Sequence, residues 1–338
     1  MSDITLRDEF QARDSFDVLT EESREAVGAK GRRRLMPAPK GEDDPGSLAG
    51  GGVEIMKNFS ILRSQLIGDP ISLTIPFEIG EDNAFASRAA GFHGRPALEW
   101  AKFRGIIIRH RWRRILSSAV SWLIRFQELT EGDALIPAEM LHRTGVLMEV
   151  ETYLNRKGDA LDPLAVRSLK ALRDQAASEA EALPLCSSHG DFHFGRFTTE
   201  NGNIAGVIDW SGFESRSHPF HDFWQLMIQS AGAGSRDPDA FVSESTSNLF
   251  GLGWMNSTIA GQTERFCKNL GVSSRIAREF LPFHLVRLSL REGRNSGSDP
   301  RMAGAWDRLL ESILVFETSR GGFLEVGVDR SLDVERMQ

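Results

Sequence analysis

The sequence is poor in cysteine and has no long apolar run. Its two cysteines, Cys186 and Cys267, form no Cys-x-x-Cys spacing, which excludes a disulfide scaffold and favours a reducing compartment. No stretch approaches the roughly 18 consecutive apolar residues of a transmembrane helix. The polar, acidic start, MSDITLRDEFQARDSF, lacks the apolar segment of a secretory signal. Together these absences predict a cytoplasmic protein without a transmembrane segment.

An excess of positive charge is also missing. The chain has 40 Lys and Arg against 47 Asp and Glu, a net charge of -7, so no overall basic field predicts a nucleic-acid partner. Hydrophobic residues make up 41% and charged residues 26% of the 338 positions, which is typical of folded proteins. At roughly 100–200 residues per domain, the length corresponds to about two domains. The sequence leaves the oligomeric state open.

Composition divides the chain into four parts. Residues 1–50 are rich in Gly, Pro and charge and are predicted to be a flexible N-terminal segment. Residues 51–97 have the β-branched and aromatic content of short strands, including one over 71–80 whose proline limits it to a sheet edge. Residues 98–320 are predicted to be mostly helical, and residues 321–338 to be a frayed polar tail.

Helical periodicity is clear after residue 98. One apolar stripe has i, i+3, i+4, i+7 spacing and consists of Ile115, Leu116, Ala119, Val120, Trp122, Leu123 and Phe126. Asp162 and Pro163 predict the N-cap and first turn of a further helix, which Pro184 ends. The other predicted helices cover residues 137–156, 239–250, 256–269, 274–292 and 300–318, and one more starts near Pro219.

A basic segment opens this helical region. KFRGIIIRHRWRR, residues 102–114, has six Lys or Arg in 13 positions, interleaved with Trp112 and three isoleucines. The pattern fits a solvated helix face with buried Ile and Trp. It also fits a docking strip for an anionic substrate or a membrane surface.

Residues 186–227 are the segment without helical periodicity. CSSHGDFHFGRFTTENGNIAGVIDWSGFESRSHPFHDFWQLM predicts a loop followed by a hairpin with strands at 194–199 and 204–210, joined by the turn ENGN. Asp191 precedes the hairpin and Asp209 ends it, so folding brings the two carboxylates together. One of them can then accept a proton while the other holds a divalent cation.

HGDFHFGRF followed by GVIDW resembles the HGDxHxxN…IDW pattern of the aminoglycoside phosphotransferase and choline kinase family. The later HPFHDFWQL resembles the family's segment in which an Asp opens the next helix. The strong match covers residues 186–227, and the helical context extends a looser match over residues 100–320. The resemblance implies an α+β, protein-kinase-like fold of two lobes. The small, diverged, strand-rich N-lobe would be residues 51–97, and the large helical C-lobe with its catalytic β-hairpin would be residues 98–320.

The resemblance also implies roles for single residues. Asp191 would be the catalytic base, and Asp209 would bind the Mg²⁺ that bridges the phosphates of ATP or GTP. His189 would hold the catalytic loop in shape, and Asp222 would brace that loop by accepting backbone hydrogen bonds. Trp210, which follows the metal-binding acid, is interpreted as lining the acceptor side of the cleft.

Two features depart from the family pattern. Arg196 stands where the family has a metal-ligating Asn, and a guanidinium cannot ligate a metal. This implies either a single metal ion with Arg196 neutralising phosphate charge in catalysis, or a weak or inactive enzyme. In the first lobe, the glycines at 50–52 lie too close to Lys57, the best candidate for a nucleotide-binding strand lysine. An exposed strand lysine without a function fits Lys57 nearly as well.

Three functions compete. The resemblance implies an ATP- or GTP-dependent O-phosphotransferase whose partner is a hydroxylated small molecule, such as an aminoglycoside, an amino alcohol or a sugar. A kinase-like protein that binds its ligand without transfer is favoured by the two departures. A metal-dependent phosphoesterase is less favoured, because its Gly-Asn-His element is missing. Its metal ligands would be His189, Asp191, His193, Asp209 and His221.

Overall fold

The structure is a computed structural model that describes residues 62, 65–75, 95–96, 106–131, 138–179, 183–233, 235, 237–251, 253–292 and 304–319. The predictions for residues 1–50, Lys57 and residues 321–338 lie outside this part of the chain. Within it the helices are α1 Ile106–Thr130, α2 Ala138–Lys157, α3 Pro163–Glu179, α4 Phe220–Ala231, α5 Pro238–Phe250, α6 Asn256–Leu270, α7 Ser274–Glu292 and α8 Ala305–Ser319. The strands are β1 Arg95–Pro96, β2 Cys186–Ser188, β3 Phe197–Glu200, β4 Asn203–Val207 and β5 Glu214–Ser217.

Local sequence accounts for several helix ends. α3 and α5 both begin with a capping Asp and a Pro in the first turn. Asp162 Oδ1 accepts from the amide of Leu164 at 2.7 Å, and Asp237 Oδ1 accepts from the amide of Ala240 at 2.8 Å. α6 ends at Gly271, whose φ of 70° lies in the left-handed region that favours glycine. These ends lie within a few residues of the predicted ones.

The predicted apolar stripe of α1 is buried. Its members are at most 7% exposed, and they are Ile115, Leu116, Ala119, Val120, Trp122, Leu123 and Phe126. Trp122 stacks on Phe192 with ring centroids 5.0 Å apart, and Phe126 meets the edge of Trp210 at 5.7 Å. Burying a side chain of this size stabilises the fold by about 2–3 kcal/mol. α1 is therefore the base on which the loop after β2 packs.

The described part of the basic segment, from residue 109 on, has its arginines and His110 in solvent. The exposed residues are Arg109, His110, Arg111, Arg113 and Arg114. Trp112 is 3% exposed and stacks on Phe194 with centroids 3.9 Å apart. Arg114 donates to the carbonyl of Asn201 at 2.6 Å. The described part of the segment matches the interpretation as a solvated helix face.

Two small antiparallel sheets hold the segment between α3 and α4. The first has the order β1-β3-β4, and Phe197 of β3 is paired with Val207 of β4. The second pairs β2 with β5 and sets Cys186 opposite Ser217. The chain leaves β2, passes through the loop at 189–196, and returns along the hairpin toward β5. The predicted hairpin is present.

The hairpin strands are shorter than predicted over 194–199 and 204–210. The first strand starts later because the amide of Arg196 bonds to the carbonyl of His193 at 2.8 Å and closes a turn. The second strand ends earlier because Asp209 has a φ of 62°, which is left-handed and ends an extended strand.

The strand predicted over 71–80 is wrong in its described part. Pro70–Thr74 forms a 3-10 helix, in which Asp69 Oδ1 accepts from the amide of Ile71 at 3.0 Å. Two hydroxyls of this turn donate to carbonyls three residues earlier. Capping by an Asp-Pro pair therefore outweighs the β-branched content of the segment.

The described chain is mostly helical, with two small sheets. Over the same residues, no helix has the length and apolar content needed to cross a membrane. The two-lobe arrangement and the domain limits at residues 50, 97 and 320 stay predictions.

Candidate active site

The hairpin brings Asp191 and Asp209 onto a single cation, Arg196. The guanidinium donates from Nε and Nη2 to Asp191 Oδ2, each at 2.8 Å, and its Nη1 lies 2.5 Å from Asp209 Oδ2. The three side chains are between 30 and 34% exposed. Charge-assisted hydrogen bonds of this kind fix the carboxylates in direction as well as distance. The two acids singled out in the sequence therefore lie together, with Arg196 between them.

His189 connects the loop to the strand that leads to Asp209. Its Nε2 lies 3.1 Å from the carbonyl of Ile208, and its Nδ1 lies 3.3 Å from the amide of Asp191. A carbonyl only accepts, so Nε2 carries the proton and Nδ1 accepts the amide hydrogen. Burial lowers the pKa of His189 to about 4, which keeps the ring neutral. One imidazole thus sets the spacing of the two acid-bearing backbone segments.

Asp222, in the first turn of α4, holds the start of the same loop. Its Oδ2 accepts from the amide of His189 at 2.6 Å, and its Oδ1 accepts from the amide of Gly190 at 2.9 Å. Complete burial raises the pKa of Asp222 to about 6, and the two amide hydrogen bonds offset part of that rise. Both carboxylate oxygens of Asp222 accept from backbone amides, and this geometry braces the loop.

Gly190 allows the loop to approach the turn that follows Asp209. Its φ is 82°, and a Cβ added there would lie 1.8 Å from the carbonyl oxygen of Gly212. A side chain does not fit in this space. On the other side, Arg291 of α7 donates to the Gly190 carbonyl at 3.0 Å and pairs with Glu214 at 2.7 Å. The loop backbone is therefore held from α4 and from α7.

Asp191 has partners on both carboxylate oxygens. Its Oδ1 accepts from Gln225 Nε2 at 2.8 Å. Its Oδ2 lies 3.4 Å from His193 Nε2, in addition to the contacts with Arg196. Burial raises the pKa of Asp191, but His193 and Arg196 outweigh it and hold that pKa well below its usual range. At neutral pH this side chain is an ionised hydrogen-bond acceptor.

Alternation in the loop turns its polar side chains outward. Phe192 and Phe194 are 0 and 3% exposed, whereas the side chains of Asp191 and His193 are 33 and 23% exposed. The phenylalanines anchor the loop on the core at every second position. Trp210 is also fully buried, and its Nε1 donates to a strand carbonyl at 3.1 Å. Its interpretation as a residue lining the cleft is wrong, because the ring belongs to the core beneath the loop.

Three residues that contact the site or its supports were not singled out by the sequence: Gln225, His284 and Arg291. Gln225 lies one helical turn after Asp222 on α4, and this spacing is the signal that finds it. His284 and Arg291 lie on α7, and no pattern in the sequence links α7 to the loop.

Carboxylate oxygens at the site are the ligands that Mg²⁺ prefers. The described residues include no group of three or more His, Cys, Asp or Glu side chains able to hold a metal by themselves. The donor set therefore fits an ion that takes one or two carboxylates and completes its shell with water and phosphate oxygens. Asp191 and Asp209 each present a carboxylate oxygen that can take part in such a shell, and in both residues Oδ2 contacts Arg196.

The ligand set of a metal-dependent phosphoesterase is not assembled. His189 uses both ring nitrogens within the loop and the following strand. His221 is fully buried, and its Nδ1 lies 2.8 Å from Nδ1 of His284. Two of the five candidate ligands are thus directed to other partners.

No protein-family model and no curated protein matches this sequence. Among solved structures, the chain is similar to the gentamicin complex of APH(2″)-IIa, at 13% identity and a TM-score of 0.43, over 77% of this chain and 83% of that one. It is similar to the ADP-bound aminoglycoside phosphotransferase APH(2″)-Ib at 13% identity and a TM-score of 0.39, over 77% and 82% of the two chains. The chain is also similar to glucosamine kinase, at 15% identity and a TM-score of 0.38, over 67% of this chain and 59% of that one. Values this low carry no argument about activity or substrate.

Proposed function

We propose that this chain is a phosphotransferase that moves the terminal phosphoryl group of ATP or GTP to a hydroxyl of a small molecule. The observation that carries the proposal is the pair of carboxylates, Asp191 and Asp209, that share the Arg196 guanidinium at 2.5–2.8 Å. Phosphoryl transfer needs a group that orients the acceptor, an acid that binds the metal, and neutralisation of phosphate charge. The site offers one residue for each task.

Asp191 is the base in this proposal. Its pKa is held below the usual range, so it fixes the direction of an acceptor O–H more strongly than it takes up the proton. Phosphoryl transfer passes through a loose transition state, in which orientation of the attacking oxygen matters more than early deprotonation. As the new P–O bond forms, the bond between the terminal phosphorus and the bridging oxygen of the nucleotide breaks, and the nucleoside diphosphate leaves with that oxygen. The Asp191 carboxylate takes up the proton of the acceptor hydroxyl.

Asp209 and Arg196 divide the electrostatic work. Mg²⁺, when bound, would neutralise charge on the nucleotide phosphates, and Asp209 would hold it. Arg196 would leave Asp209 Oδ2, its present contact, and turn its planar fork to phosphate oxygens, for which that geometry is suited. This assignment gives a role in catalysis to Arg196, which stands where the family pattern has a metal-ligating Asn.

The rest of the proposal follows from the sequence resemblance. A kinase-like two-lobe arrangement would place the nucleotide between the loop and residues 51–97, with Lys57 toward the phosphates. His189 and Asp222 hold the loop without touching substrate. The reaction would take place in the cytoplasm.

The direct experiment follows the terminal phosphate of Mg-ATP and Mg-GTP by ³¹P NMR. The acceptors are aminoglycosides including gentamicin, amino sugars including glucosamine, amino alcohols, and water as background. We expect Asp191→Asn and Asp209→Asn to lower the rate at least about 100-fold. The matched control is Asp239→Asn, which changes a carboxylate that is 85% exposed on α5 and should leave the rate unchanged. No transfer by wild type, or equal rates in all three variants, contradicts the proposal.

A nucleotide-binding protein that performs no transfer is the second candidate. The observation that favours it is Arg196, which contacts Oδ2 of both Asp191 and Asp209. If this guanidinium stays in place, Mg-ATP binds without turnover. Calorimetry that detects Mg-ATP binding, combined with turnover that appears only in Arg196→Asn, would favour this candidate over the first.

A further inference from the structure

A line of three buried side chains runs from α4 through α7 to Asp191. His221 Nδ1 lies 2.8 Å from His284 Nδ1, and His284 Nε2 lies 3.0 Å from Gln225 Oε1. Gln225 Nε2 completes the line at 2.8 Å from Asp191 Oδ1. His221, His284 and Gln225 are between 0 and 3% exposed. His221 and Gln225 are four positions apart on α4, so one face of that helix holds both ends of the line.

The carboxylate sets the direction of every hydrogen bond in this line. Ionised Asp191 only accepts, so Gln225 donates from Nε2 and accepts at Oε1. His284 must then donate from Nε2, which leaves its Nδ1 as an acceptor. His221 therefore donates from Nδ1. The result is a one-way series of donors that points at Asp191.

His284 has to be neutral for this arrangement to hold, because its Nδ1 accepts from His221. A second proton on His284 would set two N–H groups against each other across the 2.8 Å contact with His221. Burial, followed by the positive charge of Arg287, lowers the pKa of both rings well below the usual 6.5. The direction of the line is thus maintained through the neutral pH range.

We propose that Gln225 and His284 are positioning residues that fix the rotation of the Asp191 carboxylate. The catalytic part of this inference rests on the function proposed above. Gln225 donates to Oδ1 of Asp191 from the buried side, so Oδ2 is the oxygen that faces the acceptor hydroxyl. His284 prevents the Gln225 amide from turning over, because the turned amide would set its NH₂ against the His284 N–H and its oxygen against the carboxylate.

A neutral amide suits this task because it adds no charge beside Asp191. Arg196 and His193 both contact Oδ2, and without Gln225 nothing described in the structure holds Oδ1. The carboxylate would then be free to turn both oxygens toward these two groups. The carboxylate oxygen that faces the acceptor hydroxyl would then no longer have a fixed orientation. This slows transfer without weakening nucleotide binding.

The first test reads the histidine protonation pattern directly. In protein labelled with ¹⁵N-histidine, long-range ¹H–¹⁵N NMR distinguishes the two neutral tautomers from the charged ring. The signals are assigned with His221→Gln and His284→Gln. We expect His284 protonated at Nε2, His221 protonated at Nδ1, and both neutral at neutral pH. The opposite tautomers, or a charged His284 ring at neutral pH, would overturn the line, and this result does not depend on any activity.

The second test measures phosphate release from Mg-ATP with water as the acceptor. Gln225→Met keeps the side-chain volume and removes the donor, and His284→Leu removes the support. We expect kcat to fall about 10- to 100-fold in each, with the KM for Mg-ATP within about twofold of wild type. The control is Ser230→Ala, which removes a buried hydrogen bond on the same helix, to the carbonyl of Leu226 at 2.6 Å, and should leave kcat unchanged.

The two proposals fail in different ways. If Asp191→Asn abolishes phosphate release and Gln225→Met keeps the wild-type kcat, the positioning role is wrong and the function stands. If Asp191→Asn is fully active, or if wild type transfers phosphate neither to water nor to any of the acceptors named above, the proposed function fails. In that case the tautomers alone decide whether the buried line exists.

Discussion

The two sides of the loop at 189–196 are stabilised in different ways. An exposed layer faces solvent, with side chains 30–34% exposed, and consists of Asp191, Arg196 and Asp209. A buried layer lies behind it, at most 3% exposed, and consists of His189, Asp222, Gln225 and His284. Charge pairing on one guanidinium holds the exposed layer. Hydrogen bonds with fixed donors and acceptors hold the buried layer.

The two layers differ in whether a ligand can replace their contacts. Ion pairs open to water contribute little to stability, because water and salt compete for both partners. A buried hydrogen-bond network has no such competitor, and an unmatched group within it is costly. Under the proposed function, a nucleotide would therefore take Arg196 away from the carboxylates while the buried layer keeps the loop in place.

The first prediction concerns the buried layer: acidification should lower the free energy of unfolding, and this is the largest effect that we expect. Burial lowers the pKa of His189 to about 4, and it lowers the pKa of His221 and His284 well below 6.5. The stability that these neutral rings contribute is present above pH 6.5 and is lost as the pH falls. Asp222 has the opposite sign, because its raised pKa of about 6 makes protonation stabilising as the pH falls below that value.

The two contributions can be weighed. One pH unit between the folded and unfolded pKa is worth about 1.4 kcal/mol per group. Between pH 6.5 and about pH 5 all three histidines lose stability, whereas Asp222 gains it only below about pH 6. We expect a net fall in the free energy of unfolding over this range, measured by urea denaturation with tryptophan fluorescence. A flat or rising stability over this range would contradict the neutral buried histidines.

The next effect compares one acid from each layer. We expect Asp222→Asn to lower the free energy of unfolding by about 2–4 kcal/mol, because the new NH₂ faces a backbone N–H and one amide loses its acceptor. Asp209→Asn is the counterpart in the exposed layer and should cost less than about 1 kcal/mol, since Asn tolerates the left-handed backbone there. Both are measured by urea denaturation at neutral pH. Equal losses would remove the distinction between the layers.

The close approach at Gly190 gives a smaller effect with a matched control. Gly190→Ala combines a left-handed φ of 82° with a Cβ 1.8 Å from the Gly212 carbonyl. Gly271→Ala has a similar φ of 70° and nothing within 4 Å of the added Cβ. The control should cost about 1–2 kcal/mol from backbone strain alone, and Gly190→Ala should cost at least about 1 kcal/mol more. A difference in melting temperature close to zero would show that the loop is free to shift.

The smallest effect on stability is expected at Arg196. Arg196→Ala should change the free energy of unfolding by less than about 1 kcal/mol, because the pairs are partly exposed. It should at the same time raise the pKa of Asp191, since Arg196 is, after His193, one of the two groups that lower it. Carboxyl ¹³C NMR of labelled aspartate measures this titration. An unchanged Asp191 titration would show that the guanidinium does not hold this carboxylate in solution.

Much of the helical scaffold is predictable from local signals. Asp237 and Pro238 mark the start of α5, and the left-handed Gly271 marks the end of α6, because capping is decided within one turn. The hairpin is predictable for the same reason, and it carries Asp191 and Asp209 to one place. The 3-10 helix at Pro70–Thr74 stands where the sequence predicted a strand. Capping by Asp69 stabilises this helix more than the β-branched residues favour a strand.

The buried layer is only partly predictable. Asp222 and Gln225 share a face of α4, which helical spacing reveals. From α7, Arg291 contacts the loop at Gly190 and His284 contacts His221 and Gln225 of α4. These contacts come from packing of distant segments, and a single sequence holds no pattern for them. The direction of the hydrogen bonds at His189 and His284 follows only when carbonyl and carboxylate partners are known. Local order is thus visible in the sequence, and the choice of distant partner is not.

The proposed function makes the exposed layer a nucleotide site built around Asp209. The most direct measurement is the thermal shift produced by Mg-ATP and Mg-GTP in wild type, Asp209→Asn and the surface control Asp239→Asn. A nucleotide at 100 times its dissociation constant stabilises the folded state by about 2.7 kcal/mol, which is easily detected as a rise in Tm. We expect a magnesium-dependent shift in wild type and in the control that is lost in Asp209→Asn. No shift with either nucleotide, or an equal shift in all three proteins, would contradict the claim.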